Sequence, residues 1–336
     1  MMKVLFDEMK ETIRQAFLKA GLNGEQAEIC AAVHTQSSCD GVSSHGLNRV
    51  PRFIEYVKKG WIDLEGKPEI IKKNGSMESY DGNFGIGVMN AKYCMERAMV
   101  LADSFGAGIV TLRNTTHWMR GGTYAWDAVG RGYLSICWTN TESCMPAWGA
   151  KSASVGNNPF CIGIPSDHGS FVLDMAMSQY SYGRLYRAQA EKEQLPYPGG
   201  FDEEGKLTAD PDAIANTRRL LPAGYWKGSG LAVVLDLTAA ILSEGLCSSE
   251  INGVKKGSGG GCSQIYMAFA PEKFISKEEM EHLIQSTKDH LHHAEPALSD
   301  EKISFPGERT LAIREEQLKN GIRVDENVWE EVCSLT

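Results

Sequence analysis

The sequence predicts a mixed α/β fold in which a helical part, built from both ends of the chain, adjoins a central part of strands and helices. Apolar residues recur at helical spacing in the first 75 residues and again after residue 270. Between these segments, short apolar runs alternate with helical stretches. The 336 residues, 42% of them hydrophobic, are enough for about two domains. We therefore predict a helical domain over 1–75 with 271–336 and a mixed α/β domain over 76–270.

Three helices are predicted before residue 60, so the first seventy or so residues are expected to be helical. The first ends at Gly21, a residue that readily takes the left-handed conformation of a helix end. The second begins at Asn23, whose spacing to Gln26 is that of a capping box. Pro51 suits the first turn of the third. This order places His45 in the connection after the second helix.

From about residue 76 the chain alternates strands with helices. Strands are predicted at 108–112, 133–138, 160–164, 171–173 and 264–269, and helices at 91–104 and 228–243. The apolar face of the last helix is formed by Leu231, Val234, Leu235, Thr238 and Leu242. Residues 183–224 are polar and long for a connection, which predicts that this segment has a function of its own or binds a partner. After residue 269 the chain is expected to be helical again, and its last helix docks through an apolar face.

Composition excludes several classes of protein. The net charge of −9 argues against nucleic-acid binding, which draws on clustered Lys and Arg. Nine cysteines without a C-x-x-C pair indicate neither a disulfide framework nor a zinc site, and they predict a reducing cytoplasm. Charged residues among the first twelve predict no secretory leader. Because Asp236 interrupts the apolar stretch 231–242, we expect no membrane span.

The segment Ser43–Arg49 combines a proton donor with an anion-binding group. His45 can donate a proton near neutral pH, and Arg49 offers a planar fork that matches a carboxylate. Gly46 lets a ligand approach the backbone. Alternatively, His45 is a structural hydrogen-bonding group and Arg49 a solvated surface charge. The functional interpretation predicts a small anionic substrate with a reactive carbonyl.

Four further residues, at three sites, have both a functional and a structural interpretation. His117 follows the strand at 108–112 and either lines a cleft or belongs to an ordinary strand-helix turn. Trp226 and Lys227 stand among glycines at a predicted helix start, which suits either a pyrophosphate or close helix packing. Asp174, at a strand end, would accept hydrogen bonds from ribose hydroxyls, orient a histidine or cap the next helix.

The motifs that the chain lacks exclude further classes of enzyme. The dinucleotide fingerprint G-x-G-x-x-G is absent, because 85–87 and 106–108 both lack the third glycine. A nicotinamide enzyme with this sequence therefore needs a non-Rossmann fold. No G-x-S-x-G, H-E-x-x-H or Walker motif occurs. His290, His292 and His293 lie in a strongly polar predicted helix without a suitably spaced carboxylate, so we predict no metal site.

Taken together, these residues closely resemble the type-2 malate/L-lactate dehydrogenase family of nicotinamide oxidoreductases, over essentially the whole chain. The motifs that carry the resemblance are Ser44-His45-Gly46 with Asn48-Arg49, Asn114 with His117–Gly122, Trp148-Gly149, Gly156–Pro159, Asp174-Met175, Ser181–Gly183, Leu221-Pro222 with Gly224–Gly228, Ser263-Gln264 and Pro306–Glu308. The chain departs from the family pattern at Ser43, Arg309 and 257–261.

The resemblance implies reduction of a 2-oxo acid by NAD(P)H on a non-Rossmann fold. The leading substrate is 2,3-diketo-L-gulonate, reduced to 3-dehydro-L-gulonate. Malate, lactate or ureidoglycolate remain alternatives, as does a noncatalytic dinucleotide-binding scaffold. NAD is the leading cofactor and NADP the alternative. The resemblance further implies a homodimer in which the helical domain provides substrate and dimer contacts.

The resemblance also implies a role for individual residues. His45 would protonate the substrate carbonyl as hydride arrives. The substrate contacts would be Ser44, Asn48, Arg49 and His117. The central domain would hold the dinucleotide through three stretches, with contacts from Ser170, Phe171, Val172, Leu173, Asp174, Met175, Ala176, Trp226, Lys227, Gly307, Glu308 and Arg309.

Overall fold

A seven-stranded mixed sheet forms the centre of the molecule in the computed structural model, which describes residues 2–298 and 302–336. The strands are β1 (Met2–Val4), β2 (Glu69–Asn74), β3 (Met77–Asp81), β4 (Ala107–Thr115), β5 (Leu134–Thr139), β6 (Met145–Pro146), β7 (Ala153–Val155), β8 (Phe160–Ile164), β9 (Phe171–Met175), β10 (Gly200–Phe201), β11 (Leu207–Thr208), β12 (Cys262–Phe269) and β13 (Ile322–Val324).

Helices surround the sheet and make up most of both chain ends. They are α1 (Phe6–Lys19), α2 (Gly24–Cys39), α3 (Val50–Lys58), α4 (Gly87–Phe105), α5 (Gly122–Gly130), α6 (Tyr182–Glu191), α7 (Pro211–Thr217), α8 (Trp226–Ser243), α9 (Ser248–Ile251), α10 (Lys277–His292), α11 (Glu308–Asn320) and α12 (Glu326–Ser334). Short 3-10 helices lie at Ser43–His45, Leu47–Arg49 and Pro271–Lys273.

The central sheet has the order β2-β3-β4-β12-β5-β8-β9. Strand β3 pairs with β4 in parallel, whereas the other neighbouring strands in this order are antiparallel. A Rossmann domain is built on a mostly parallel sheet, so this topology is not Rossmann-like. The predicted mixed α/β class with a non-Rossmann sheet is therefore confirmed, and the five strands predicted at 108–112, 133–138, 160–164, 171–173 and 264–269 correspond to β4, β5, β8, β9 and β12.

The sheet separates two apolar layers. Helices α4 and α5 pack on one face, and α8 packs on the other against β12, β4 and β5. Trp118, Tyr124 and Tyr266 form an aromatic cluster in the first layer, with ring centroids 5.6 to 6.2 Å apart. These are among the largest fully buried side chains of the protein, so this layer holds the turn between β4 and α5 firmly against the sheet.

The helical region joins both ends of the chain. Strand β1 pairs with β13, which brings Met2 opposite Val324, and helices α1, α2, α3 and α12 share one apolar core. The predicted capping box at Asn23 and Gln26 is present. Three-residue strands such as β1 are too short to show a strand period, so the all-helical expectation for both ends was wrong there. It was also wrong at β2, which precedes residue 75 yet lies in the central sheet; the two-domain division itself stays a prediction.

Helix α8 does not orient as its apolar pattern suggests. Its buried face consists mostly of small residues such as Ala232 and Ala239, together with Leu235. The larger Leu231, Val234 and Leu242 of the predicted face are exposed, because small side chains let the helix lie close to the sheet. Among the described residues, α8 is also the one helix long and apolar enough to cross a membrane by length and composition.

Candidate active site

A cavity of about 2610 Å³ opens between the helical ends of the chain and the central sheet. Every residue predicted to touch the substrate lines it: Ser44, His45, Asn48, Arg49 and His117. His45 lies in the connection between α2 and α3, as predicted, and His117 lies between β4 and α5. The fold thus brings together two sequence motifs that are about seventy residues apart.

The turn that carries His45 is fixed against α2. A Cβ on Gly46 would collide with Ser38 Oγ and with the backbone oxygen of His34, so only glycine fits there. Ser38 Oγ also accepts a hydrogen bond from the backbone N–H of Leu47, at 2.8 Å. The glycine beside His45 therefore serves close backbone packing, which places the imidazole at the cavity wall.

The two histidine rings stack in the cavity, with centroids 5.7 Å apart and planes 22° apart. Burial, followed by the charge of Arg49, lowers the pKa of His45 to about 4, while Asp174 opposes this shift. Burial also holds the pKa of His117 well below its ordinary value. Both rings are therefore neutral at pH 7 in the free protein.

Their hydrogen bonds give the two rings different roles. The backbone N–H of Met119 donates to His117 Nδ1 at 2.9 Å, so the proton of neutral His117 sits on Nε2. His117 is consequently a fixed hydrogen-bond donor. His45 Nδ1 lies 3.1 Å from Ser44 Oγ, a hydroxyl that can donate or accept. Of the two rings, His45 is the one whose partner permits a change of protonation.

Arg49 has the features of an unfilled anion site. Its Nη2 atom is buried without a hydrogen-bond partner, and no carboxylate lies within 4 Å of its guanidinium among residues 2–298 and 302–336. Burial and the neighbouring Arg52 lower the pKa of Arg49. A guanidinium that is desolvated and unpaired gains strongly from a ligand carboxylate.

Two of the three predicted cofactor stretches, 170–176 and 307–309, meet at β9, the edge strand of the sheet. The backbone N–H of Val172 donates to Pro306 O at 2.9 Å, which brings the segment around Gly307 beside β9. At the other end, the N–H of Ala223 donates to Met177 O at 2.8 Å, next to the first turn of α8. Of the twelve predicted cofactor contacts, Arg309 is the one that lines the large cavity, and the other eleven, Lys227 among them, lie outside its lining. A Cβ on Gly307 would approach Val172 N to 2.9 Å, so this close crossing fits only glycine.

The hydrogen bonds of Asp174 support the prediction that this residue caps a helix. Its Oδ2 accepts hydrogen bonds from the backbone N–H of Gly122 at 3.0 Å and from Arg120 Nε at 3.2 Å, and Cys161 Sγ donates to its Oδ1 at 3.2 Å. The helix that it caps is α5 rather than the next helix along the chain. Its negative charge also raises the pKa of His45, so Asp174 acts electrostatically on the histidine.

Sequence reasoning missed a buried charge network behind the site. Asp40, at the end of α2, accepts hydrogen bonds from Arg120 and from both Nε (2.7 Å) and Nη2 (2.8 Å) of Arg314. Arg120 continues the network to Asp174. These four buried or half-buried charges join α2, the start of α5, β9 and α11. A charged Arg120 between Met119 and two glycines was the one local signal of this network.

Glu142 was also missed. It lines the same cavity as the two histidines, and its Oε2 accepts a hydrogen bond from the backbone N–H of Gly259 at 3.0 Å. Nothing in the local sequence connects these two positions, because they are 117 residues apart in the chain.

Comparisons with known proteins agree with this geometry. The family model described as malate/L-lactate dehydrogenase matches residues 4–333. The chain is 42% identical to 2,3-diketo-L-gulonate reductase of Klebsiella pneumoniae and 41% identical to that of Escherichia coli K12, in each case over 334 residues, 99% of this chain and 100% of the relative.

Solved structures show the same fold. Malate dehydrogenase of Entamoeba histolytica superposes with a TM-score of 0.93 at 26% identity, covering 99% of this chain and 97% of that one. Sulfolactate dehydrogenase of Methanocaldococcus jannaschii gives 0.88 at 28% identity, with 99% and 96% covered. The chain therefore belongs to the malate/L-lactate dehydrogenase family, and it is an oxidoreductase that acts on CH–OH groups with a nicotinamide cofactor.

Proposed function

We propose that this chain reduces 2,3-diketo-L-gulonate to 3-dehydro-L-gulonate with NADH, reversibly. The observation that carries the proposal is the unpaired guanidinium of Arg49 in one cavity with the stacked rings of His45 and His117. An anion site next to a titratable ring and a fixed hydrogen-bond donor is what reduction of a 2-oxo acid needs. The names of the relatives at 41–42% identity support the diketo acid as the substrate.

Each of these side chains has a defined role in the reaction. Arg49 binds the substrate carboxylate, with Ser44 and Asn48 as further contacts. His117 donates from Nε2 to a substrate oxygen and so orients the carbonyl. A bound nicotinamide dinucleotide supplies the hydride. His45 delivers the proton to the oxygen of the carbonyl that becomes the alcohol.

Substrate binding itself prepares His45 for this step. The positive charge of Arg49 is one of the two largest causes that lower the pKa of His45. A substrate carboxylate on Arg49 neutralises that charge, whereas Asp174 continues to favour the imidazolium. The pKa of His45 is therefore expected to rise when the anionic substrate binds.

For the cofactor we propose NAD, with NADP as the alternative, held along β9 by Ser170–Ala176, Trp226, Lys227 and Gly307–Arg309. Two backbone hydrogen bonds support this placement, because they bring Pro306 to β9 and Ala223, three residues before Trp226, to Met177 just after β9. Lys227 at the start of α8 adds a cation near the backbone N–H groups of a helix N-terminus, which suits a pyrophosphate.

The assay is loss of NADH absorbance at 340 nm with 2,3-diketo-L-gulonate, run in parallel with NADPH and with oxaloacetate, pyruvate and other 2-oxo acids. We expect turnover of the diketo acid, and we expect the His45→Ala variant to lose at least about a hundredfold in kcat.

The malate and sulfolactate dehydrogenases among the structural neighbours make another 2-hydroxy acid the second candidate. Full turnover by His45→Ala would exclude the mechanism, and no turnover of any 2-oxo acid would indicate the noncatalytic scaffold.

We further propose a homodimer in the cytoplasm, with the helical segments 1–75 and 271–336 contributing substrate and dimer contacts. The exposed apolar side chains of α8, which lies in the central segment 76–270, provide a further surface for self-association outside those helical segments, since Val234 is 60% and Ile241 71% exposed. The nine free cysteines support a reducing compartment.

A further inference from the structure

We propose that Glu142 determines substrate selectivity at this site: its carboxylate accepts hydrogen bonds from the hydroxyl groups of a polyhydroxy 2-oxo acid and repels the second carboxylate of a dicarboxylic one. The inference rests on the proposed function, because it concerns the substrate of the same cavity. It adds a residue that the sequence motifs do not single out.

Glu142 lies in the segment that follows β5 and lines the cavity together with His45, Arg49 and His117. Its position is set by the glycine-rich loop 257–261. The backbone N–H of Gly259 donates to Glu142 Oε2 at 3.0 Å, which leaves Oε1 without a protein donor in the region of the chain that the structure describes. One carboxylate oxygen thus holds the side chain in place and the other remains for a ligand.

The same loop also packs against the histidine side of the cavity. Gly259 has a φ of +80°, and a Cβ there would approach His117 Cβ to 2.9 Å. The neighbouring Ser258 donates its backbone N–H to Tyr56 Oη at 3.0 Å. One loop therefore contacts both Glu142 and His117, so that a substrate oriented by His117 has a defined relation to Glu142.

The charge of Glu142 acts on Arg49 without cancelling it. Glu142 opposes the lowering of the pKa of Arg49, yet no Lys or Arg lies within 4 Å of its carboxylate among the described residues. With the substrate's carboxylate on Arg49, the remainder of the substrate meets the Glu142 carboxylate, whose oxygens accept hydrogen bonds. A hydroxyl satisfies such an acceptor, whereas a second carboxylate would place like charges together in a partly desolvated cavity.

The test is the full-length Glu142→Gln variant, assayed with NADH on 2,3-diketo-L-gulonate and on oxaloacetate. The glutamine Oε1 can still accept from Gly259 N–H, so the loop is retained while the charge is removed. We expect kcat/KM to fall about tenfold for the diketo acid, mainly through KM, and to rise about tenfold for oxaloacetate. A merely structural role would instead change both substrates in the same direction.

The matched control is Glu65→Gln, which removes an exposed carboxylate outside the cavity and should leave the ratio of the two kcat/KM values unchanged. Glu142→Ala repeats the test by removing both the charge and the acceptor, with thermal unfolding to verify the fold. An unchanged ratio in folded Glu142 variants overturns this inference but not the proposed function. A wild-type chain that reduces no 2-oxo acid with NADH or NADPH overturns both.

Discussion

At the scale of single residues, His45 and His117 are alike in burial but differ in what their Nδ1 atoms contact. Met119 N–H occupies Nδ1 of His117, so protonating that ring would place a second hydrogen against an existing donor. Ser44 Oγ beside His45 can reverse its hydrogen bond. This difference, and not proximity alone, is why we propose His45 as the group that exchanges a proton.

The resulting prediction concerns the pH dependence of the reduction. The pKa of His45 is lowered to about 4 in the free protein, so above that pH the protonated fraction falls about tenfold per unit. Because kcat/KM reports the free enzyme, kcat/KM for the 2-oxo acid should decrease with a slope near −1 as pH rises from 5.5 to 8. The profile of kcat should stay level to a higher pH, because the bound carboxylate neutralises Arg49.

Steady-state rates across this range at constant ionic strength give both profiles, with substrate and NADH held at saturation for kcat. The control is the reverse reaction, oxidation of the hydroxy acid. This reaction needs neutral His45, so its kcat/KM should not fall as pH rises from 5.5 to 8. A kcat/KM for reduction that is independent of pH would contradict the assignment of His45 as the proton donor.

The candidate site was largely predictable at this scale because its chemistry is carried by residue type. His45, Arg49 and His117 were predicted from the motifs around them, and all three line one cavity. Glu142 could not be predicted, since its position depends on a backbone group 117 residues away. The same holds for Asp40, whose partners Arg120 and Arg314 lie 80 and 274 residues away.

At the scale of elements, signals confined to a few residues predicted structure well, and signals that depend on neighbours in space did not. The capping box of α2 uses two residues three positions apart, so it is visible in the sequence. The apolar residues of α8 were recognised as helical, but the side of the helix facing the sheet was set by Ala232 and Ala239. Hydrophobicity alone does not distinguish a face that meets the core from one that meets another surface.

The network centred on Asp40 joins four such elements, and its loss should be costly. Asp40→Asn keeps the shape of the side chain but leaves the guanidinium groups of Arg120 and Arg314 without their shared carboxylate. Removing one partner of a buried ion pair costs about 3–5 kcal/mol. Urea unfolding at pH 7 should show a loss of that size, and kcat should fall because Asp40 ends the helix that carries the His45 turn.

A surface pair provides the comparison for this variant. Glu96 pairs with Arg131, and both side chains are more than 40% exposed, so Glu96→Gln should cost less than about 1 kcal/mol. Equal losses of unfolding free energy in the two variants would show that the Asp40 network is not a stabilising junction.

At the scale of the whole molecule, the unusual feature is the apolar outer side of α8. Between Lys227 and Glu244 its one charged side chain is Asp236, which accepts hydrogen bonds from Asn140 and Ser248 rather than facing outward alone. An uncharged face is self-complementary, because a second copy related by a twofold axis meets it without repulsion. Two aromatic residues lie at the N-terminal end of α8: Tyr225 directly precedes the helix, and the ring of Trp148 lies 5.4 Å from that of Tyr225. Both residues are 47% exposed.

These dimensions decide how a dimer would be built. Eighteen residues make a helix about 27 Å long, and a face of that length alone provides well under the roughly 800 Å² per partner of a standard interface. A second copy would therefore also have to cover the aromatic residues at the start of α8, next to the proposed cofactor contacts Trp226 and Lys227. Dimerisation and cofactor binding are thus expected to be coupled.

We predict a solution mass of twice 36.9 kDa for the wild-type chain, and a mass near 36.9 kDa for Ile241→Glu, because a charge in an apolar interface is left unpaired. Light scattering after size exclusion measures both, and titration with NADH should show weaker binding by the monomeric variant. Val100→Glu is the matched control, since Val100 is 39% exposed on α4, which packs on the opposite face of the sheet from α8, and it should leave the mass unchanged. A wild-type monomer at micromolar concentration, or an Ile241→Glu dimer, would mean that α8 has a different partner; binding of the wild type to lipid vesicles would identify that partner as a membrane surface.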